Sequence, residues 1–252
     1  MNSITRKQKI LSVAAFSGML LAISAVLVTV TGGVGSRFHW WHFGMGFTLL
    51  KWGVYIGIAA ALASLIGLFA GGKESGRPAM LKAVIGLVIS LPVVILPLSW
   101  LNTARSVPPI HDITTDTENP PQFDAILALR ADAPNSVEYG GESIASQQQE
   151  AYPAIQPILT DSSPDVAFTA ALRAAHDLGW NIVAQKPQQG RIEAVDTTFW
   201  FGFKDDVVIR IKAREKGSRV DIRSVSRVGR SDVGTNARRI REFIQAFHRY
   251  TD

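Results

Sequence analysis

The sequence predicts three transmembrane helices followed by an extracytoplasmic α+β domain, an antiparallel sheet with two helices on one face. Three observations predict it. Apolar runs dominate residues 10 to 103 of the 252. Basic residues gather on alternate connections between those runs. From residue 105 the composition becomes that of a soluble domain, with capped helices and two-residue alternation.

Ile10 to Val30 runs 21 residues without a charge. At about 1.5 Å per residue, that crosses a hydrocarbon core of about 30 Å. A second run, Trp52 to Ala70, continues upstream to Phe47, with Lys51 placed to snorkel outward, and a third extends from Ala83 to Ala104. The predicted helices cover residues 10–30, 47–70 and 81–103; they must be helical because lipid offers the backbone no water. Arg6, Lys7 and Lys9 precede the first helix, Lys73, Arg77 and Lys82 surround the second connection, and the first connection carries only Arg37. Positive charge marks the cytoplasmic side. The expectation is a multi-pass protein of the bacterial inner membrane, with a cytoplasmic N-terminus and everything after Trp100 on the periplasmic side. The alternative for the first run is a cleaved signal peptide, although its apolar stretch exceeds the usual core of about 7–15 residues. Cleavage would leave the C-terminal domain on the same side.

Trp40, Trp41, Trp52, Tyr55 and Trp100 fall at the outer ends of the helices, as an aromatic belt should. Small residues recur in the second helix at Gly53, Gly57 and Ala61, and at Ala63, Gly67 and Gly71. Such faces let helices approach closely, here within the three-helix unit in preference to a dimer interface. Pro92 and Pro97 are expected to kink the third helix. The spans hold no Asp or Glu, which argues against an ion or proton path. His39 and His42 in RFHWWHF read as part of the interfacial aromatic cluster, the alternative being metal or haem ligands.

The net charge of +5 invites a nucleic-acid reading, which its distribution excludes. Residues 1–104 hold 8 Lys+Arg against one acid, Glu74, for +7, and residues 105–252 hold 18 against 20, for −2. A nucleic-acid-binding domain concentrates positive charge on itself. The surplus here orients helices. With no cysteine, a thiol nucleophile is excluded, and a domain of about 148 residues buries a core without disulfides.

Residues 105–154 are rich in Pro, Asp, Gln and Ser and read as a partly irregular lead-in, with short helices around Gln122–Arg130 and Ser143–Glu150. Ile155–Thr160 reads as a strand. Ser163-Pro164-Asp165 supplies an N-cap, a first-turn proline and an acid for the helix dipole. That helix places Phe168, Ala171, Leu172, Ala175 and Leu178 on one face and ends at Gly179. Trp180–Gln185 and Arg191–Thr197 are predicted strands. Val207–Arg214 alternates well, Lys216-Gly217 marks a hairpin, and Arg219–Val225 returns. Ser231 and Asp232 cap a last helix reaching Tyr250, with Val233, Ala237, Ile240, Ile244 and Phe247 as its buried stripe. The order β-α-β4-α is that of the TATA-binding-protein-like fold and also resembles helix-grip proteins, a likeness of topology that carries no function.

The sequence carries no phosphate-binding glycine loop, no G-x-S-x-G elbow and no H-E-x-x-H. Four polar groups remain. His111-Asp112-Ile113-Thr114-Thr115-Asp116 has the residue types for a metal or for acid–base work, and equally those of a capped turn. Asp205-Asp206 is a carboxylate pair or a turn closure. If the hairpin closes symmetrically about Lys216-Gly217, Lys212 faces Asp221, Ala213 faces Val220 and Arg210 faces Arg223. Like charges opposed in a sheet are destabilising, so Arg210 and Arg223 need an anion, either Asp196, Asp205 or Asp206 or a bound phosphate such as a lipid headgroup. Lastly, the stretch from Ser226 to Asn236, with Arg227, leads into the last helix; Asp232 occupies the N-terminus that would otherwise attract an anion.

Three stretches, HDITTD from His111, DTTFWFGFKDDVVIRI from Asp196 and SRVGRSDVGTNARRIREF from Ser226, resemble the domain-of-unknown-function 1499 family over roughly residues 107–250. The matching positions are His111, Asp112, Thr115, Asp116, Asp196, Asp205, Asp206, Arg210, Arg227, Ser231, Asp232 and Asn236. The resemblance implies a protein of bacteria or plastids, often with membrane segments, and no catalytic role to carry over. The expected function is a non-enzymatic binding module for membrane lipids, an envelope component or an envelope protein partner, with no cofactor and no metal. The alternatives are an envelope hydrolase using Asp112, Asp116 and Asp205 or Asp206, and a scaffold subunit of a membrane complex.

Overall fold

Small residues set how the apolar helices pack. The computed structural model describes residues 2–69 and 76–251. Its helices α1 (Asn2–Arg37), α2 (Phe43–Phe69) and α3 (Gly76–Ser106) are each long and apolar enough to cross a membrane. They overrun the predicted spans because polar residues at their ends continue the helix. On α1 the buried positions include Leu11, Ala15, Gly18, Ala22, Ala25, Thr29 and Gly32, and on α2 they are Gly46, Gly53, Gly57, Ala60, Ser64 and Gly67. These rows meet in antiparallel order: Gly32 lies against Gly46, Thr29 against Gly53, Gly18 against Ser64 and Ala15 against Gly67. On α3, Val93 and Val94 fit over Gly57, and Gly86 lies against Ser64. Leu20, Leu27, Leu62, Ile66, Val88 and Ile95 face outward. Large residues outside and small ones inside is the inverse of a soluble bundle, and it suits a lipid surround. The predicted small-residue face is therefore filled within the unit at Gly53, Gly57 and Gly67; Ala61 and Ala63 flank the seam, and Gly71 lies outside the described residues. Helix α3 runs through Pro92 and Pro97.

The chain divides into two units. One is the helical region to Asn102 together with Phe199–Gly202; the other comprises Thr103–Thr198 and Phe203–Asp252.

The second unit contains β1 (Asp112–Thr114), a 3-10 helix (Ala125–Arg130), α4 (Glu142–Ala151), β2 (Ile158–Thr160), α5 (Pro164–Asp177), β3 (Asn181–Lys186), β4 (Arg191–Thr197), β5 (Lys204–Ala213), β6 (Ser218–Ser226) and α6 (Thr235–His248). Strands β3 to β6 form an antiparallel meander. The outer edge of β6 is shared: β1 pairs with Arg223–Val225 and β2 with Ser218–Val220. The sheet thus has six strands in place of the predicted five. The extra one lies in the HDITTD stretch, where the turn reading is corrected: Asp112, Ile113 and Thr114 complete the edge of β6.

Both helices lie on one sheet face. Phe168, Ala171 and Ala175 of α5 and Ala237, Ile240, Phe243 and Phe247 of α6 join Ile192, Ile209, Ile211, Val220 and Ile222 in one core, with Trp180 stacked on Phe243. The predicted faces hold, with Leu172, Leu178 and Ile244 partly buried against them. Ser163 Oγ accepts from Val166 N at the start of α5, as its sequence requires. Helix α6 starts later than predicted. Ser231 to Gly234 form a turn first, and Val233 sits outside the helix at a positive φ of 54°.

The β5–β6 register also differs from expectation. Arg210 pairs with Asp221, Lys212 with Arg219 and Ala213 with Ser218, two residues from the predicted alignment. The turn spans Arg214–Gly217, closed by Arg214 N donating to Gly217 O, and Gly217 takes φ 77° as its last residue. Placing that glycine last in the turn, where only it escapes a Cβ clash, moves the centre back by one position. Arg223 consequently faces Val208, and Arg210 faces an acid.

Candidate functional site

Strand alternation sorts the polar residues onto two faces. Asp205 of β5 and Ser224 and Ser226 of β6 share the helix-covered face with Val207 and Ile222. Asp206, Val208 and Arg210 of β5, and Arg219, Asp221, Arg223 and Val225 of β6, lie on the other face. Residues 116–139 cover that second face, placing Phe123, Ile126 and Val137 against Val195, Val208 and Val225.

Around this small apolar cluster the second face is rich in ion pairs. Arg223, fully buried, donates from Nε and Nη2 to the two oxygens of Asp112 at 2.9 and 2.7 Å, and from Nη1 and Nη2 to the carbonyls of Pro121 and Val137. Its guanidinium lies between the rings of Phe123 and Tyr139, 5.4 and 5.5 Å from their centroids. Burial pushes the Asp112 carboxyl above its ordinary range, against the pull of Arg223. Burial likewise raises the Tyr139 phenol to about 12, helped by Asp112. Asp206 accepts from Arg227 Nε at 3.0 Å and Nη2 at 2.7 Å, with Arg130 Nη1 3.3 Å away. Asp116 and Asp221 alternate with Arg210 and Arg219 in a ring: Arg210 Nη2 is 2.8 Å from both carboxylates, and Arg219 reaches Asp116 at 2.7 Å and Asp221 at 3.0 Å. Glu193, fully buried on β4, accepts from the amides of Asp124, Ala125 and Ile126, holding the start of the 3-10 helix.

A separate network sits at the edge of the helix-covered face. Arg239 of α6 donates to Asp196 Oδ2 at 2.7 Å, Asp205 Oδ2 at 2.6 Å and Ser224 Oγ at 3.1 Å, and contacts Asn236 Oδ1. Burial opposes its charge, yet Asp205 and Asp196 outweigh it and hold the pKa above the usual arginine value. Asn236 donates to His111 O and Ser226 Oγ. Asp232 accepts from the amides of Gly234 and Asn236, at 2.8 and 2.7 Å, while burial raises its pKa. His111 is half-buried, with Nδ1 3.4 Å from Arg230 O.

The predicted polar residues therefore fall into distinct groups. Asp196, Asp205 and Asn236 converge on Arg239; Asp232 lies before the Gly234 N-cap and accepts from the Asn236 amide of the same helix. Asp206 and Arg227 pair on the opposite side of β5; Asp112 and Arg223 form one pair, Asp116 and Arg210 belong to the ring. The anions nominated for Arg210 and Arg223 are corrected: Asp116 and Asp221 serve the first and Asp112 the second, because the register moved both arginines. Among the described residues, no three His, Cys, Asp or Glu side chains gather as metal ligands. Arg239 and Glu193 were missed by sequence reasoning. Their signal is a charge placed on a buried stripe, Arg239 between Asn236 and Phe243 and Glu193 between Ile192 and Ala194.

One part of the ionic face stays open. A cavity of about 240 Å³ is lined by Pro121, Gln122, Gln189, Arg191, Val208 and Arg210. Arg191 and Arg210 are direct cross-strand partners. Opposed like charges do occur, with Arg191 in the place expected for Arg223. Arg191 Nη2 lies 3.0 Å from Asp124, but its buried Nε makes no hydrogen bond, and Glu193 is 3.7 Å away. Arg210 uses Nε and Nη2 for its acids, leaving Nη1 without a hydrogen bond among the described residues.

Three helices long and apolar enough to cross a membrane, together with an antiparallel sheet domain whose second face is rich in ion pairs, define a membrane-type protein. Residues 112–247 match the family described as Protein of unknown function (DUF1499), and the chain belongs to that family. A search of curated proteins found no match.

Proposed function

We propose that the sheet domain is a non-enzymatic binding module. Its three helices hold it at the bacterial inner membrane as a multi-pass protein, with the N-terminus cytoplasmic and the domain on the periplasmic side. Its β-α-β4-α core falls within the TATA-binding-protein-like arrangement. The ligand is an anionic group of a lipid or envelope component, held in the cleft between Arg191 and Arg210. The observation carrying this reading is that two opposed guanidiniums line one cavity with donors left over. An anion between them would relieve their repulsion, and Gln122 and Gln189 offer carboxamides beside it. Arg223 takes no part, since Asp112 and two carbonyls satisfy it.

The hydrolase reading finds less support. It needs Asp112, Asp116 and Asp205 or Asp206 in one cleft, whereas Asp205 and Asp206 project to opposite faces and each carboxylate is held by its own arginine. Native mass spectrometry of the full chain in detergent, titrated with phosphatidylglycerol, tests the binding module. Arg191→Gln and Arg210→Gln should each weaken the lipid adduct about tenfold or more, the loss of one charged hydrogen bond of about 1.5–3 kcal/mol. Unchanged adducts in both variants would remove the cleft as the site. Competition by inorganic phosphate separates headgroup chemistry from acyl-chain binding.

A further inference from the structure

Within the helical unit lies a segment that is not part of any helix. Phe199-Trp200-Phe201-Gly202, the connection between β4 and β5, groups with α1, α2 and α3. Two helix glycines make room for it: a Cβ at Gly33 would fall on the Trp200 indole, and one at Gly46 would come within 2.8 Å of Phe201 Cε1. Phe201 is buried, 5.0 Å centroid to centroid from Phe47. Trp200 lies 5.4 Å from the Trp100 ring, with Nε1 3.5 Å from Val30 O. Arg37 Nη1 donates to Phe199 O at 2.7 Å, and Ser36 Oγ to Phe201 O at 3.3 Å. Phe199 itself is 91% exposed, the largest value among the described large hydrophobic residues, and Phe38 and Trp40 nearby in sequence to Arg37 are 62% and 63% exposed.

These contacts fix the level of the segment along α1. The apolar run of α1 ends at Val30, and Arg37 is seven residues further, about 10 Å of helix. A bilayer adds headgroup layers to a core of about 30 Å, for about 40–45 Å in all. That leaves about 5–8 Å for each leaflet, so the interval from Val30 to Arg37 crosses the headgroup layer to its outer edge, and aromatic rings beside cations are favoured in that layer. Val30, two turns before Arg37 on the same helix, is itself exposed.

We propose that Phe199, with Phe38 and Trp40, inserts into the phospholipid headgroup layer, making the β4–β5 tip a fourth membrane-contacting element. Its occupant is the bilayer that surrounds the protein's own helices, so the proposal rests on the membrane reading of those helices. The chain contains no cysteine, so a single spin label can be placed at will. Phe199→Cys and, as a reference in a span, Leu62→Cys are labelled in the full chain and reconstituted in vesicles of phosphatidylethanolamine and phosphatidylglycerol. Neither exposed position should disturb folding. A label at Lys216, an exposed hairpin residue, provides a third reference. The label at 199 should have an oxygen-to-nickel collision ratio several-fold above that at 216, and below that at 62. A ratio at 199 equal to that at 216, with 62 still lipid-like, overturns the tip proposal alone. Protection at 199 from both reagents also overturns it, since a protein surface would then cover the tip. A water-like ratio at 62 removes the membrane reading and this proposal with it.

Discussion

The two faces of one sheet use different physics. Under α5 and α6, side chains of both helices and of β1, β2, β4, β5 and β6 bury carbon against carbon, and a polar network gathers around Arg239 at the edge. On the other face the carbon content is small, and Arg130, Arg210, Arg219, Arg223 and Arg227 meet Asp112, Asp116, Asp206 and Asp221 beneath a segment with little regular structure. Burial of apolar groups is non-directional, so the helix-covered face fixes the layers. Ion pairs require defined partners at defined distances. The ionic face therefore anchors an irregular chain, residues 116–139, that lacks the apolar surface to anchor itself. Buried pairs give little net stability relative to an apolar replacement, yet breaking one is costly. That asymmetry should appear in mutants.

The largest effect is expected at Asp112→Ala, which leaves the fully buried Arg223 charge without its partner. It should lose about 3–5 kcal/mol in denaturant unfolding of the full chain. Adding Arg223→Met should recover most of that loss; a double mutant no better than the single would show that the two faces are not stabilised differently. The pH dependence at this position carries a sign. The native Asp112 pKa is raised by burial above the ordinary 3.8, so the folded state holds the proton more firmly than the unfolded chain. Its contribution is therefore fully present below pH 3.8 and declines as pH rises through the native value.

A smaller effect is expected on the apolar face. Ile222→Val removes one methylene opposite Ile209 and should cost about 0.5–1.5 kcal/mol, unchanged between low and high salt. A strong salt dependence would mean that charges also govern that face. The smallest concerns the exposed pair of Lys186 and Asp124, 2.6 Å apart. Lys186→Ala should leave the melting temperature at neutral pH unchanged within error. Here the pH sign reverses: Lys186, and then Arg191, hold the Asp124 carboxyl below its ordinary range. Any contribution is present above pH 3.8 and lost as pH falls through the depressed value, as an acid-limb comparison of Asp124→Asn would record.

How much was legible varies with the range of the interactions. Alternation in Val207–Arg214 located β5, and Ser163-Pro164-Asp165 located the start of α5, because caps and alternation act within a few residues. The candidate polar set was legible only as a list. Asp205 and Asp206 are adjacent in sequence, yet one joins Arg239 and the other Arg227. A two-residue change of register was enough to give Arg210 an acid in place of Arg223. HDITTD concealed a strand because three residues show no periodicity, and it forms only where β6 offers an open edge.

By itself the sequence determined the three apolar spans, the element order from β2 to α6 and the face each helix buries, since hydropathy, periodicity and capping are local properties of the chain. The tertiary structure alone decided which carboxylate meets which arginine, that Arg191 and Arg210 share a cleft, and that Gly33 and Gly46 receive Trp200 and Phe201. Those partners are separated by tens to more than a hundred residues. Their meeting depends on register and packing, which no local pattern encodes.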